Sequence, residues 1–382
     1  MTVADDYVPA TRTGRPPPPP TGPPRRDGGR RWPRRLLIGL IVLVVLAGAA
    51  LGGGYWYIHY RLDQIKRQDV GGTQSADVGG PENILVAGSD SRAGESAGAA
   101  SHFGTASQVA GQRSDVIILV HLDPRTASAA MLSIPRDLLV HIAGANTRNK
   151  INVAFDSGPT QLIETISQEF GITINHYASV NFSGLQQLTD AVGGVCMNFP
   201  YPVRDGSPTG RGNESGLKIT SSGPQLLDGA MALSLVRSRY YQYYKDGYWH
   251  AEGTGDIGRI ARQHEYLRAL ATKAIHDAKG NPFKANSLVN KTVNDLTVDS
   301  GLSSGDILHL ALELRSLKPA TIPSWTLPYK AELNYGSFGD VLLPEPDQDQ
   351  QVISAWQSYG APAPKPSGPT TTAAALSPSS VT

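Results

Sequence analysis

Cysteine is nearly absent from this 382-residue chain: Cys196 stands alone. That excludes an intramolecular disulfide, a CxxC metal site and a haem-attachment motif. Many exported bacterial proteins also lack disulfides, so the count does not assign a compartment. An excess of charge is lacking too. Thirty-four Lys and Arg meet 33 Asp and Glu, for a formal charge of +1, and such a balance gives the whole chain no pull toward nucleic acid. GxxxxGK(S/T) and HExxH are both missing. The nine His show no metal-ligand spacing, and no recognition-helix pattern points to DNA. Cys196, between Val195 and Met197, is expected to be a small core residue.

What is present is unevenly spread. Residues 1–35 carry eight Arg against Asp5, Asp6 and Asp27, hence +5, and the remainder carries −4. With the pure run Pro16–Pro20 and few apolar groups, this tail cannot offset its chain entropy and is expected to be disordered. Residues 36–58 hold no charge in 23 positions. As a helix at ~1.5 Å per residue they would extend roughly 35 Å, enough for a bilayer core of about 30 Å. A cleavable signal peptide needs an apolar run of only about 7–15 residues. Tyr55, Trp56, Tyr57 and Tyr60 read as an interfacial aromatic belt, and the Arg-rich flank places the N-terminus inside and the chain after Tyr60 outside. The expected layout is a basic cytoplasmic tail (1–35), one transmembrane helix (36–58), a linker (59–80), an extracytoplasmic globular domain (81–358) and a disordered Pro/Ser/Thr-rich tail (359–382).

Within the globular part, residues 83–86 and 115–122 are short continuous apolar runs that suit buried strands. A third strand is expected at 128–134, and another at 195–198. Residues 160–170 and 183–192 have helical spacing, ended by Gly171 and Gly193. Alternating strands and helices predict an α/β sheet with helices on its faces.

Five segments could carry chemistry. Gly88-Ser89-Asp90-Ser91-Arg92 follows a buried strand, where ligands of open α/β sheets gather, although a surface turn would explain it as well. Arg113-Ser114-Asp115 enters the most apolar strand, where an Asp is costly unless partnered or capping the preceding loop. In Ser133-Ile134-Pro135-Arg136-Asp137, Pro135 stops the ladder and aims Arg136 outward, with a strand-end salt bridge as the plainer reading. In Val236-Arg237-Ser238-Arg239, an extended backbone would point both guanidiniums to one side, ready for a phosphate; a solvated surface pair is the alternative. The helix opening at Asp256 and running to about Lys279 places Asp256 and Gln263 on the face of Leu267, Leu270 and Ala274, with Arg259 at its border. Polarity on an inward face needs partners, and a helix N-terminus favours an anion.

Taken together and in this order, NILVAGSDSR, RSDVIILVHLDPRTASAAMLSIPRD, NKINVAF, INHYASVNFSGLQQLTDAVGGV, GPQLLDGAMALSLVRSR and DIGRIARQ resemble the LytR-CpsA-Psr (LCP) family of cell-envelope proteins over residues 83–273. The resemblance implies an α/β/α sandwich around a central mixed sheet with an apolar lipid-binding tunnel. It implies a phosphotransferase of the bacterial cytoplasmic membrane that moves a teichoic acid, capsule or arabinogalactan type glycopolymer from a polyprenyl-pyrophosphate carrier onto peptidoglycan. By motif, Asp90 and Asp115 would bind Mg²⁺, with Mn²⁺ as the substitute. Arg92, Arg113, Arg136, Arg237, Arg239 and Arg259 would bind the pyrophosphate, oriented by Asp256 and Gln263, and Asp90, Asp115, Arg136, Arg237 and Arg239 would be catalytic. The partners implied are the lipid-linked donor, the peptidoglycan acceptor and the membrane, with no nucleic acid. The same constellation would serve a polyprenyl-pyrophosphate hydrolase, and the family's older label of transcriptional attenuator suggests a non-catalytic membrane-tethered regulator.

Two insertions depart from the family pattern. Residues 93–112 are Gly/Ala/Ser-rich, and Tyr240, Tyr241, Tyr243, Tyr244, Tyr248 and Trp249 crowd a segment expected to be a loop. Those rings could stack on sugars, cover the lipid mouth or pack locally. After Lys279 the helical and strand signals at 303–317 and 325–327 are weak.

Overall fold

Apolar runs become strands wherever a turn signal bounds them. In the computed structural model β1 is Lys66–Gln68, β2 Glu82–Ser89, β3 Ser114–Asp123 and β4 Ser128–Ser133, the last two joined through Pro124. A short pair follows, β5 at Leu139–His141 and β6 at Arg148–Lys150. Helix α1 (Pro159–Phe170) starts on a proline and stops at Gly171; β7 (His176–Asn181) leads into α2 (Phe182–Ala191), which the Asn181 side chain caps by accepting from Gly184 N–H at 2.7 Å. Next come β8 (Val195–Phe199), β9 (Val203–Asp205), β10 (Lys218–Ile219) and β11 (Gly223–Leu227). Asp228 caps α3 (Gly229–Arg237), followed by the hairpin β12 (Tyr241–Lys245) and β13 (Tyr248–Ala251) and the long α4 (Gly255–Gly280). The remainder holds α5 (Pro282–Thr292), β14 (Leu296–Asp299), α6 (Ser304–Glu313), β15 (Ser324–Thr326), β16 (Tyr329–Glu332), β17 (Val341–Pro344) and α7 (Pro346–Gln357). The structure describes residues 54, 56–75, 79–89, 114–206, 215–253, 255–280 and 282–359, with Ser89, Ser114, Asp115, Gly255, Asp256, Gly280, residues 282–285 and Thr292 described for their backbone only.

The main sheet is mixed, in the order β1-β14-β7-β2-β3-β4-β15. β2 runs parallel to β7 and antiparallel to β3, so its expected burial at the centre is met. Leu85, Ala87, Ile117, Leu119, Ala130 and Leu132 from the central strands share one apolar cluster with Leu162, Ile163 and Ile166 of α1 and with Trp356 of α7. A second cluster gathers Phe182, Met197, Leu233, Val236, Tyr266 and Leu270 from α2, β8, α3 and α4. The described residues from 56 to 359 belong to one compact unit.

Several expectations change. The supposed linker at 59–80 contributes β1 to the sheet and buries Leu62, Ile65 and Val70, because its apolar spacing is too sparse to show in a polar stretch. Cys196 is half-buried on β8, since its inward neighbours are Val195 and Met197. The aromatic insertion is a hairpin, not a loop. Asp246 and Gly247 at its tip both have positive φ, 51° and 89°, as a two-residue turn matched to strand twist requires. The weak C-terminal signals are real elements, with β14 and β15 completing the sheet. Among the described residues no helix is long and apolar enough to cross a membrane; the expected span lies almost wholly outside them.

Candidate functional site

Several strands of the main sheet finish together. Ser89, ending β2, pairs with Asn181, ending β7, and with Ser114, starting β3. Ser133, ending β4, pairs with Ile118 a little further along β3. The β2–β3 register jumps at this end: Gly88 faces Val116 and Ser89 faces Ser114, which leaves Asp115 as the extra residue of a β-bulge. Bulges re-aim side chains beside active sites. Gly88 is required by the close approach, for a Cβ there would lie 2.9 Å from that of Val116. Asp90, the residue after Ser89, lies outside the described residues, as do Arg92 and Arg113.

Helices bring cations to the same end. The Arg237 guanidinium lies over the Phe182 ring at 4.2 Å, and Phe182 opens α2 directly after Asn181. Arg237 is the last residue of α3, so the segment 236–239 is a helix end rather than the extended pair that period-two reasoning assumed. Arg239 is exposed, and the segment around it is held by buried Asp205, whose carboxylate accepts from Ser238 Oγ and Tyr240 N–H at 2.9 Å each and from Ser215 N–H at 2.8 Å. Arg136 follows Pro135 at the end of β4. Its Nε donates to Asp137 at 3.3 Å, and Lys150 approaches the other carboxylate oxygen at 3.4 Å, so the strand-end salt bridge exists.

The first turns of α4 join these pieces. Arg259 and Gln263 are buried, as the helical stripe predicts. Gln263 Nε2 donates to Val236 O at 3.0 Å, fixing the end of α3 one residue before Arg237. Arg262 is buried as well: it donates to Ser238 O at 2.7 Å, pairs with the Glu252 carboxylate and covers the Tyr241 ring at 4.4 Å. His264 Nε2 shares a 2.6 Å hydrogen bond with Ser133 Oγ. Complete burial, with the Arg268 charge adding to it, pushes its pKa down to about 3, so the ring is neutral at pH 7. Through these contacts α4 ties Ser133, Val236 and Ser238 to one place, and Arg136, Arg237 and Arg239 each lie within three residues of one of those anchors.

Sequence reasoning missed Arg262, His264 and Asp205. Arg262 stands three residues after Arg259, so the helical period could have found it. Asp205 sits in a three-residue strand with no local signal.

The described residues from 57 to 352 fall within the match to the LytR_cpsA_psr family model, which covers well over half of the chain. The chain belongs to the LytR_cpsA_psr family. A probable cell wall biosynthesis protein LcpB of Corynebacterium glutamicum is 35% identical over 254 residues, which is 66% of this family member and 56% of that relative. The polyisoprenyl-teichoic acid–peptidoglycan teichoic acid transferase TagU of Halalkalibacterium halodurans is 33% identical over 211 residues, 55% of this chain and 58% of TagU. The chain thus spans little more than half the length of these relatives. The fold is that of solved family structures: a LytR-Csp2A-Psr enzyme from Actinomyces oris has TM-score 0.59 at 21% identity, covering 77% of this chain and 96% of that one. TagV of B. subtilis gives 0.56 at 23% identity, covering 75% and 99%.

Proposed function

We propose that this protein is a phosphotransferase that moves a glycopolymer of the teichoic acid, capsule or arabinogalactan type from a polyprenyl-pyrophosphate carrier onto peptidoglycan, at the outer face of a bacterial cytoplasmic membrane to which residues 36–58 anchor it. The observation that carries the reading is that α4 holds Ser133, Val236 and Ser238, the neighbours of Arg136, Arg237 and Arg239, at the sheet end where Asp115 forms a bulge. TagU, whose name describes teichoic acid transfer to peptidoglycan, supports the polymer class.

A pyrophosphate diester carries two negative charges, and transfer spreads further charge over the oxygens of the phosphorus attacked, so positioning and cationic neutralisation are the main needs. Planar guanidiniums supply both. Arg136, Arg237, Arg239 and Arg259, with Arg92 and Arg113 from the adjoining motifs, would bind the two phosphates. Gln263 holds Arg237 in place through Val236 O, and Asp256 at the start of α4 would do the same for its neighbours. An acceptor sugar hydroxyl attacks the phosphorus that bears the glycopolymer. The new P–O bond forms as the bond to the bridging oxygen breaks, polyprenyl phosphate leaves with that electron pair, and the hydroxyl proton passes to a carboxylate, Asp90 or Asp115. These two Asp would also hold Mg²⁺ (or Mn²⁺). The bulge sets Asp115 beside Ser89, whose next residue is Asp90, and a pair of carboxylates beside substrate phosphates is the donor set that such ions prefer. The ion supplies charge neutralisation at the phosphate oxygens. The lipid chain would run along the apolar faces of α2, α3 and α4 beside Phe182, Leu233 and Leu270.

The test is to incubate the full chain with lipid-linked donor, Mg²⁺ and peptidoglycan fragments. Polymer-linked peptidoglycan together with polyprenyl phosphate is the expected outcome. Free polymer phosphate with water as acceptor would make the protein a hydrolase, and donor binding without either product would make it a tethered regulator.

A further inference from the structure

The proposed transfer uses no ring of the hairpin β12–β13, although Tyr241 lies under Arg262. The register puts Tyr243 opposite His250 and Lys245 opposite Tyr248. With alternation along each strand, Tyr241, Tyr243, Lys245, Tyr248 and His250 share one face. On it the rings form a ladder. Tyr248 and His250 lie 4.0 Å apart, His250 and Tyr243 stack at 5.2 Å within 10° of parallel, and Tyr243 meets Tyr201 at 5.7 Å. On the same face buried Tyr241 lies beneath Arg262, which also holds Ser238 beside Arg239; the outer end of the ladder is Tyr248, 59% exposed. The ladder therefore runs from Tyr201 and Tyr243 to the surface at Tyr248, and Tyr241 stands two residues before Tyr243 on the same strand face.

Three observations define what it would bind. Rings locked by strand pairing and by one another lose little side-chain freedom on binding, and each carries a polar handle. That combination matches a pyranose chain, whose sugars present C–H faces and hydroxyl edges. The cations nearby are already placed: Arg204 covers Trp249 at 4.2 Å and donates to Gln242 Oε1 at 2.8 Å, Lys245 stands over Tyr201 at 5.8 Å, and Arg262 pairs with Glu252. Such a surface suits an uncharged glycan better than a phosphate-rich polymer. The tip carries Asp246, and none of residues 240–250 is Leu, Ile, Val or Phe, which argues against entry into the hydrocarbon core of a bilayer. We propose that this hairpin face binds the glycan strand of the peptidoglycan acceptor and leads it to the arginine cluster, an inference that rests on the transfer reading above.

The test uses the full chain in phosphatidylcholine nanodiscs, titrated calorimetrically with soluble glycan strands released from peptidoglycan, in parallel with poly(glycerol phosphate). Wild type is expected to bind the glycan strands, Tyr248→Ala to bind them at least tenfold more weakly, and Tyr248→Phe to restore most of the affinity. The proposal is overturned if wild type binds no glycan, if Tyr248→Ala binds it as wild type does, or if the substitution weakens only poly(glycerol phosphate) binding. It is likewise overturned if the substitution changes nothing but quenching of Trp249 by brominated lipid. Binding needs neither donor nor turnover, so the two readings fail separately. Glycan bound through Tyr248 without any transfer sinks the reaction and leaves the surface standing. Transfer with an unaffected Tyr248→Ala sinks the surface alone.

Discussion

The two ends of the main sheet hold polar groups to opposite effect. At the end where β2 and β7 begin, the Asp299 carboxylate accepts N–H groups from Tyr177 at 3.0 Å and Gly301 at 2.9 Å, and lies 3.1 Å from His176 Nδ1. Burial pushes the Asp299 pKa up, but the His176 hydrogen bond and the two N–H groups outweigh it, so the carboxyl is held below its ordinary range. Burial likewise disfavours charge on His176, and Asp299 with Glu82 more than offsets it, raising that pKa. Charges there are of both signs and close on one another. At the end where β2 and β7 finish stand the segments of Arg136, Arg237, Arg259 and Arg262, with Arg136 and Arg262 paired to Asp137 and Glu252 and buried His264 kept neutral. The proposed pyrophosphate would add an anion among these basic residues. One end closes its charges on one another; the other is where the proposed ligand would sit.

Substitutions can break that contrast. The largest effect is expected at the cationic end: Arg136→Ala or Arg239→Ala lowers transfer about 10²–10³-fold, as loss of a transition-state donor does, while thermal unfolding shifts little. Near-normal transfer by both would remove the assignment. Gly88→Ala forces a methyl group to 2.9 Å from Val116 Cβ, an overpacking cost of about 1–3 kcal/mol, and disturbs the bulge at Asp115. Calorimetry should therefore show a lowered Tm together with reduced transfer. Asp299→Asn strips charge from three hydrogen bonds and should cost about 1.5–3 kcal/mol in urea unfolding, with transfer per folded molecule unchanged. A loss of transfer beyond the loss of folded protein would show that the two ends are coupled.

The smallest and sharpest test is the pH dependence of stability. His264 titrates near 3 when folded and near 6.5 when free. Between those values the unfolded chain binds the extra proton, so stability falls as pH drops below 6.5, by at most about 1.4 kcal/mol per unit. His176 has the opposite sign. Its raised pKa adds stability that is full below 6.5 and is lost as pH rises through the folded value. His264→Gln should flatten the acid-side loss, and His176→Gln the alkaline-side loss, in urea midpoints measured across pH. Equal slopes in both variants and wild type would contradict the two environments.

Much of the scaffold was legible before any coordinates. The apolar runs at 83–86 and 115–122 became β2 and β3, and the stripe through Gln263 correctly turned that side chain inward. Legibility ended where the signal was sparse or distant. β1 hides in a polar segment and Asp205 in a strand of three residues. The Ser133–His264 bond spans 131 positions, which no local pattern encodes.

What the sequence determined alone is set by short-range physics: where side chains alternate, where a helix can start, and which motifs flank each strand end. The single cysteine and balanced charge belong to that level, excluding disulfide and metal-motif chemistry without naming a site. The tertiary structure decided which of the 34 basic residues meet, since antiparallel register, the bulge at Asp115 and the docking of α4 on α3 bring distant segments to one sheet end. It also made the aromatic insertion a ladder, because ring spacing follows from strand pairing across a turn and not from the order of residues along the chain.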